Sequence, residues 1–318
     1  MFQRILVPLD GSLLAECVLP HAVAVARACE ASLTFLHVVE CPAPNGTTSP
    51  IDPLAWQVRK AEAQAYLDEL WSRLHALALP IDTVLLEGQP APRIIEYVRN
   101  HDVDLIALSS HGEGGVSGWN NGNIVHKLVQ RANISTLIVR AYRPTAVGLT
   151  DLRYRRVLVP LDGSPRADFA INPAAHLAHS YGAQLTLAYV IERPILFPHL
   201  PPQQEYQELA EQLLEYNRRS AIHYLDQVQA HLGADVTTRV VIGDDVAARL
   251  HQLIEQEDVD LTVVSAHGRT GKPHWPFGSV STNLILYGAS PILVIQDLTA
   301  DQLEPTHAER FAHERAGH

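Results

Sequence analysis

The chain repeats itself, and the repeat constrains the fold more than any other feature. Arg4-Ile5-Leu6-Val7-Pro8-Leu9-Asp10-Gly11-Ser12 returns as Arg156-Val157-Leu158-Val159-Pro160-Leu161-Asp162-Gly163-Ser164, an offset of 152. Ala31-Ser32-Leu33-Thr34 matches Ala183-Gln184-Leu185-Thr186 at the same offset. Asp102-Val103-Asp104-Leu105 matches Asp258-Val259-Asp260-Leu261 at 156, and Gly112 and Gly122 match Gly268 and Gly278, again at 156. A period this long belongs to a whole domain, not to a solenoid unit of about 20–50 residues. The 318 residues therefore divide into domains at 1–143 and 153–298. A linker at 144–152 carries Pro144 and Gly148, and a polar tail follows at 299–318.

Each copy alternates short apolar runs with longer segments at helical spacing. In the first copy the runs Arg4–Leu9, Ser32–Val39, Ile81–Leu86, Asp104–Ser109 and Thr136–Val139 read as strands. Leu13–Cys29, Leu54–Ala78, Pro92–Asn100 and Ile124–Arg131 read as helices. The second copy repeats the pattern, with strands at Val157–Leu161, Gln184–Val190, Val236–Ile242, Leu261–Ser265 and Ile292–Ile295. Its helices lie near Ala167–Tyr181, Gln203–Leu232, Val246–Glu257 and Val280–Tyr287. Runs such as Leu105–Ser110 and Leu261–Ala266 lack alternation, which suits strands covered on both faces. Strands alternating with helices imply an α/β fold with parallel sheets and right-handed crossovers. In such sheets a ligand sits beyond the carboxyl ends of the strands, where strand order reverses. Asp10, Val38 and Ser109 lie at those ends in one copy; Asp162, Val190 and Ser265 lie there in the other. The apolar fifth strands would be exposed edges, and pairing them within the chain would cover both.

Composition excludes several classes. A net charge of −11 argues against a general nucleic-acid or membrane-surface binder, because those need a concentrated positive face. Three cysteines, all in the first copy, make no disulfide framework and have no metal-binding spacing. Asp10 and Pro8 interrupt the first apolar run too early for a signal peptide. No apolar run approaches the ~18 residues of a membrane span. A cytoplasmic protein is the expectation.

Strand four of each copy ends in a glycine-containing loop that opens a helix. The frame is S-x2-G-x9-G-[NS]: Ser109, Gly112, Gly122 and Asn123, then Ser265, Gly268, Gly278 and Ser279. Glycine lets an anion approach the backbone, and the unpaired amides of a helix N-terminus favour negative charge. A plain crossover loop is the alternative. Asp10 and Asp162 follow strand one, where a carboxylate can accept from an exocyclic amine; turn chemistry, with Ser12 or Ser164 as an N-cap, is the competing account. Two familiar phosphate motifs fail. Only two residues separate Gly268 from Gly271, and Lys272 precedes Pro273, so no P-loop forms. Gly112-Glu113-Gly114 follows strand four rather than strand one and lacks the third glycine of a dinucleotide fingerprint. No nucleophile elbow or His/carboxylate metal spacing is present, so no catalytic or metal-ligating residue is expected. His111 and His267 are read as structural, bonding the loop.

In combination these motifs resemble the universal stress protein family. The resemblance covers both halves and rests on ILVPLDGS and VLVPLDGS, on the strand-two ends LHVV and AYVI, and on the strand-four loops. It implies two tandem Rossmann-like domains, each a five-stranded parallel sheet of order 3-2-1-4-5 flanked by helices, with dimerisation usual. It also implies a regulatory or stress-response role. The ATP-binding branch carries G-x2-G-x9-G-[ST]; Ser109 and Ser265 stand where that branch has its first glycine. Carried over by resemblance, Asp162 and the Val190 backbone contact adenine, and Val264 and Ser265 lie near the ribose. Gly268, Gly278, Ser279, Val280 and Ser281 hold phosphates. The matching set in the first copy is Asp10, Val38, Leu108, Ser109, Gly112, Gly122, Asn123 and Ile124. The implied ligand is ATP, with or without Mg2+.

The two loops differ in charge. The second has Arg269 and Lys272; the first has Glu113 beside Gly112, which would repel a phosphate. Tighter triphosphate binding is expected in the second copy. Two other readings remain open at this point: a slow ATPase on the same fold, and a ligand-free interaction module. Partners are otherwise expected to be an adenine nucleotide, the other domain of the same chain and a second copy, with no nucleic acid and no membrane.

Overall fold

Ten strands form one continuous sheet in the order β3-β2-β1-β4-β5-β10-β9-β6-β7-β8. The computed structural model describes residues 1–40, 53–110, 127–128, 131–141, 148–194, 204–233, 235–269 and 277–298. The first half comprises β1 (Arg4–Leu9), α1 (Leu13–Glu16), α2 (Leu19–Cys29), β2 (Ser32–Glu40), α3 (Pro53–Leu74), β3 (Ile81–Gly88), α4 (Pro90–Asn100), β4 (Leu105–Ser109) and β5 (Ser135–Val139). The second comprises β6 (Arg156–Leu161), α5 (Ile171–Tyr181), β7 (Gln184–Glu192), α6 (Gln204–Leu232), β8 (Val236–Gly243), α7 (Val246–Gln256), β9 (Leu261–Ser265), α8 (Ser279–Tyr287) and β10 (Ile292–Ile295). Each half is parallel and runs 3-2-1-4-5 from its outer edge in to the joint.

The joint is the edge pairing of β5 with β10, antiparallel, at Ile292↔Ile138, Leu293↔Leu137 and Val294↔Thr136. A near two-fold relation between like domains reverses strand direction, so equivalent edges meet antiparallel. Both strands are buried throughout. Two apolar layers cover the sheet. One packs it against α2, α3, α5 and α6 through residues such as Leu19, Leu70, Leu177 and Leu225, and it runs unbroken across both halves. The other packs it against α4, α7 and α8 through Ile94, Leu250 and Leu284.

Helix α2 lies against α5 across the joint. Tyr181 Oη donates to the Ala24 carbonyl at 2.6 Å, His176 Nε2 to the Ala28 carbonyl at 2.7 Å, and His21 Nδ1 lies 3.0 Å from Tyr154 Oη. Burial lowers the His21 pKa to about 4, so the ring is neutral near pH 7. Arg140, 2% exposed, reaches from the first half to the second, where its guanidinium donates to the Leu284 and Ile285 carbonyls at 2.9 and 2.6 Å. It thereby adds a donor to carbonyls in the last turn of α8, where the Leu284 carbonyl also accepts the Gly288 amide at 2.9 Å.

The repeated Asp-Val-Asp-Leu motif works at the amino ends of the strands. Asp104 accepts from the Gln3 and Arg4 amides at 2.7 and 3.2 Å, and Asp260 accepts from Arg155 and Arg156 at the same distances. Each carboxylate thus fixes strand four against strand one. One expected element differs. Leu13–Cys29 is two pieces, because Pro20 lacks an N–H and its ring would clash with the carbonyl four residues back. The expected helix at Ile124–Arg131 falls mostly outside the described residues.

Candidate functional site

Strand order reverses at β6, which has β7 on one side and β9 on the other. It pairs with β7 over all six residues, Arg156 to Leu161, but with β9 only at Val157↔Leu261 and Leu158↔Thr262. The neighbours on that side therefore part towards their carboxyl ends, and a crevice opens there. The first half has the same short pairing, Ile5↔Leu105 and Leu6↔Ile106.

Asp162 stands at the base of this crevice. Gly163 takes φ +77, a left-handed conformation that glycine adopts without penalty, and turns the chain back. Asp162 Oδ1 then accepts from the Ser164 amide at 2.9 Å, and Ser164 Oγ accepts from the Ala167 amide at 3.2 Å. Turn chemistry accounts for this much, as it does for Asp10: Oδ1 accepts from the Ser12 amide at 3.0 Å, and Ser12 caps α1. Asp162 does more. Its Oδ2 accepts from the Arg269 amide at 2.7 Å, binding the end of β6 to the glycine loop. Burial pushes the Asp162 carboxyl up, but the Ser164 bonds, the Arg269 amide and the Arg269 charge outweigh it, and the pKa lies below the ordinary value.

Gly268 is required by this contact, since a Cβ there would lie 2.4 Å from Asp162 Oδ2. Gly278 is different. It is the N-cap of α8, with φ −69 and no side chain to cap the helix, and among the described residues a Cβ there would meet nothing closer than the Ala266 carbonyl at 3.6 Å. Its amide donates to that carbonyl at 2.7 Å. Ser279 is exposed at the first position of α8, and Val280 is half-buried behind it. Ser281 is buried, and its hydroxyl donates to the Ser265 carbonyl at 2.8 Å, so that hydroxyl holds helix to strand. Val264 and Ser265 are buried too, at 5% and 3% exposure. Ser265 Oγ has no hydrogen-bond partner among the described residues, whereas the equivalent Ser109 Oγ donates to the Leu14 carbonyl at 2.7 Å. Leu108 is buried like Val264, and Val38, like Val190, is half-buried on strand two. Beyond Tyr189 only the ladder to β8 continues, through Val190.

His267 Nδ1 lies 2.7 Å from Asp297 Oδ1, which also accepts the His267 amide at 3.2 Å; both side chains are fully buried. The imidazole thus ties the loop to the segment after β10. Gly112, Gly122, Asn123 and Ile124, with His111, Glu113 and Lys272, lie outside the described residues. Among the described residues no group of three or more His, Cys, Asp or Glu could hold a metal ion, and no helix is long and apolar enough to cross a membrane.

The motifs alone did not point to a second layer of this site. Tyr189 Oη donates to the Asp162 carbonyl at 3.0 Å and accepts from Arg269 at 2.8 Å. Its ring meets Tyr224 edge-on at 6.2 Å, and Tyr224 Oη bonds the Asp168 carboxylate. Burial and then that carboxylate push the Tyr224 phenol up. The first half has a related arrangement with His37 in place of Tyr189: His37 meets Tyr66 at 6.1 Å, and burial and then the Glu16 carboxylate push the Tyr66 phenol up. Superposing the repeats would have exposed it, since Glu16 and Tyr66 correspond to Asp168 and Tyr224 at offsets of 152 and 158.

The fold and crevice define a class: a tandem pair of doubly wound α/β domains, each with a crevice where strand order reverses. The sequence profile of the Universal stress protein family matches residues 1–140 and again 153–296, and the chain belongs to that family. A universal stress protein of Mycobacterium tuberculosis is 27% identical over 303 residues, covering 91% of this chain and 96% of that protein. One from Bacillus subtilis is 29% identical over 149 residues, 44% of this chain but 100% of its own length, so one repeat here corresponds to a whole relative. The crystal structure of a universal stress protein from Archaeoglobus fulgidus superposes with a TM-score of 0.66 at 18% identity, covering 93% of this chain and 98% of that one. A Pseudomonas aeruginosa structure described as functionally unknown gives 0.66 at 16%, covering 98% of both. These likenesses establish the fold.

Proposed function

We propose that the chain binds an adenine nucleotide in the crevice of its second half and acts as a nucleotide-responsive regulatory protein in a stress response. Gly278 carries the reading. Its backbone angle suits any residue and the described residues around it leave room for a methyl group, so they do not demand glycine there. A ligand lying against the start of α8 does, because a side chain would stand between it and the amides. The site fits such a ligand in other respects. Asp162 offers a carboxylate held ionised, the Val190 backbone lies beyond the β6 ladder, Ser279 presents an exposed hydroxyl, and Ser265 Oγ is a buried polar atom lacking a partner among the described residues. ATP, with or without Mg2+, is the proposed ligand. The second half is proposed as the tighter site because Arg269 and Ser279 replace Glu113 and Asn123. Cytoplasmic location and self-association of the chain complete the proposal.

The test is direct. Nucleotide released by heating the purified protein is separated by chromatography, and ATP is titrated calorimetrically into the wild type, Gly278→Val and Gly122→Val. Loss of binding in Gly278→Val is expected. Absence of adenine nucleotide in the extract together with no heat on titration would refute the reading. Loss in Gly122→Val alone would reverse the ranking of the two sites.

A further inference from the structure

Arg269 sits where a base would go. Its amide is fixed on Asp162 Oδ2, and its guanidinium folds back to donate to the Asp162 carbonyl and, at 2.8 Å, to Tyr189 Oη. These acceptors stand at the end of β6 and beside Val190, the place assigned above to adenine. The platform beneath is built, not incidental: Tyr189 is held by its own bond to the Asp162 carbonyl and by Tyr224, which is held in turn by Asp168. The side chain nevertheless remains exposed to solvent, so it is free to leave.

We propose that Arg269 is a latch on the base end of the crevice, which an incoming phosphate releases, so that the site selects phosphorylated nucleotides over nucleosides. The proposal rests on the nucleotide-binding reading and deepens it. A nucleoside entering the crevice must displace a cationic donor from two oxygens and gives it nothing in return. A nucleotide brings two or more negative charges that accept the same guanidinium bidentately. Displacement and capture then occur together, and the cost of opening is offset only for a phosphorylated ligand. The first half lacks the device in sequence: Glu113 follows Gly112 where Arg269 follows Gly268, and His37 replaces Tyr189.

Arg269→Gln and Tyr189→Phe, in the full chain, distinguish this from a structural role. Adenosine and ATP are titrated calorimetrically into both variants and the wild type, with thermal melts to confirm folding. The wild type is expected to bind ATP at least ~100-fold more tightly than adenosine. Loss of the Arg269 bonds should raise adenosine affinity about 5-fold and lower ATP affinity about 10-fold, the range for one charge-assisted contact at a solvated site. Tyr189→Phe removes an acceptor from the latch but keeps the cation, so affinity for both ligands should rise ~2–5-fold. Arg269→Gln weakening both ligands alike, or leaving both unchanged, overturns the latch while the nucleotide reading stands. Binding of neither ligand by any of the three proteins overturns the nucleotide reading and the latch with it.

Discussion

Replacing Gly268 with alanine separates the two glycines of the loop. The new Cβ would lie 2.4 Å from Asp162 Oδ2, and side-chain carbons essentially never approach within 3.0 Å, so loop or carboxylate must move by at least 0.6 Å, the difference of the two. The carboxylate cannot swing freely, because Oδ1 is held by the Ser164 amide at 2.9 Å. The 2.7 Å bond from the Arg269 amide therefore lengthens and is lost. Crowding of this kind costs about 1–3 kcal/mol. The lost charge-assisted bond adds about 1 kcal/mol once solvent exposure of Asp162 is discounted. A destabilisation of ~2–4 kcal/mol follows, a fall in Tm of roughly 5–15 °C for domains of this size. Gly278→Ala meets nothing within 3.5 Å and should cost only ~0.5 kcal/mol, the difference between glycine and alanine as N-caps. The first variant is expected to lose stability and the second to lose nucleotide binding alone. Urea and thermal melts followed by circular dichroism read both. A pH series adds a check. Asp162 has its pKa lowered in the fold, so its contribution is present above the ordinary value of 3.8 and is lost as pH falls through the depressed one. The gap between wild type and Gly268→Ala should accordingly narrow below about pH 4, by the share that the charge-assisted bond contributes. Identical melts for Gly268→Ala and wild type at pH 7 would refute the claim that loop and strand are bound through Asp162.

Arg140→Met should destabilise the chain by ~2–4 kcal/mol in denaturant melts, because two buried carbonyls at the end of α8 lose a charged donor, and Arg140→Lys should not restore them, since one ammonium cannot reproduce the fork. His21, with its pKa lowered to about 4 by burial, takes up a proton on unfolding between about pH 6.5 and 4. Wild-type stability should therefore fall by about 3 kcal/mol over that interval as pH drops, and His21→Gln should flatten the fall when melts are compared across it. Lysine at Leu293 places a charge in the β5–β10 joint opposite Leu137, and a loss of cooperativity on melting is expected, with the two halves unfolding in separate transitions.

Much of the architecture could be read from local pattern. The strands at Arg4–Leu9, Leu261–Ser265 and Ile292–Ile295 lie where their apolar runs put them, since a short unbroken run bounded by Asp-Gly, by Ser-x-x-Gly or by Pro291 and Gln296-Asp297 has few other uses. Leu13–Cys29 reads as one helix in sequence because its composition favours helix throughout, and Pro20 breaks it by geometry that composition does not weigh. Within the site, Asp162 and Gly268 were legible as a carboxylate and a glycine in repeated frames, but not as partners of each other, being more than a hundred positions apart. Ser281 reads as a free hydroxyl on a helix N-terminus; packing of α8 on β9 turns it towards the Ser265 carbonyl instead.

The sequence by itself determined the duplication, the alternation of strand and helix within each copy, and the end of the sheet at which chemistry-bearing residues gather. Those follow from periodicity and from turn-forming residues, which act over a few positions. Only the tertiary structure decided that the halves share one sheet by an antiparallel β5–β10 joint, that Arg140 of one half closes the last turn of α8 in the other, and that Arg269 folds back onto Asp162 and Tyr189. Each joins groups 80 or more residues apart along the chain. Such contacts form because burial leaves a strand edge, a carbonyl or a guanidinium in need of a partner, and which partner lies within reach is set by packing.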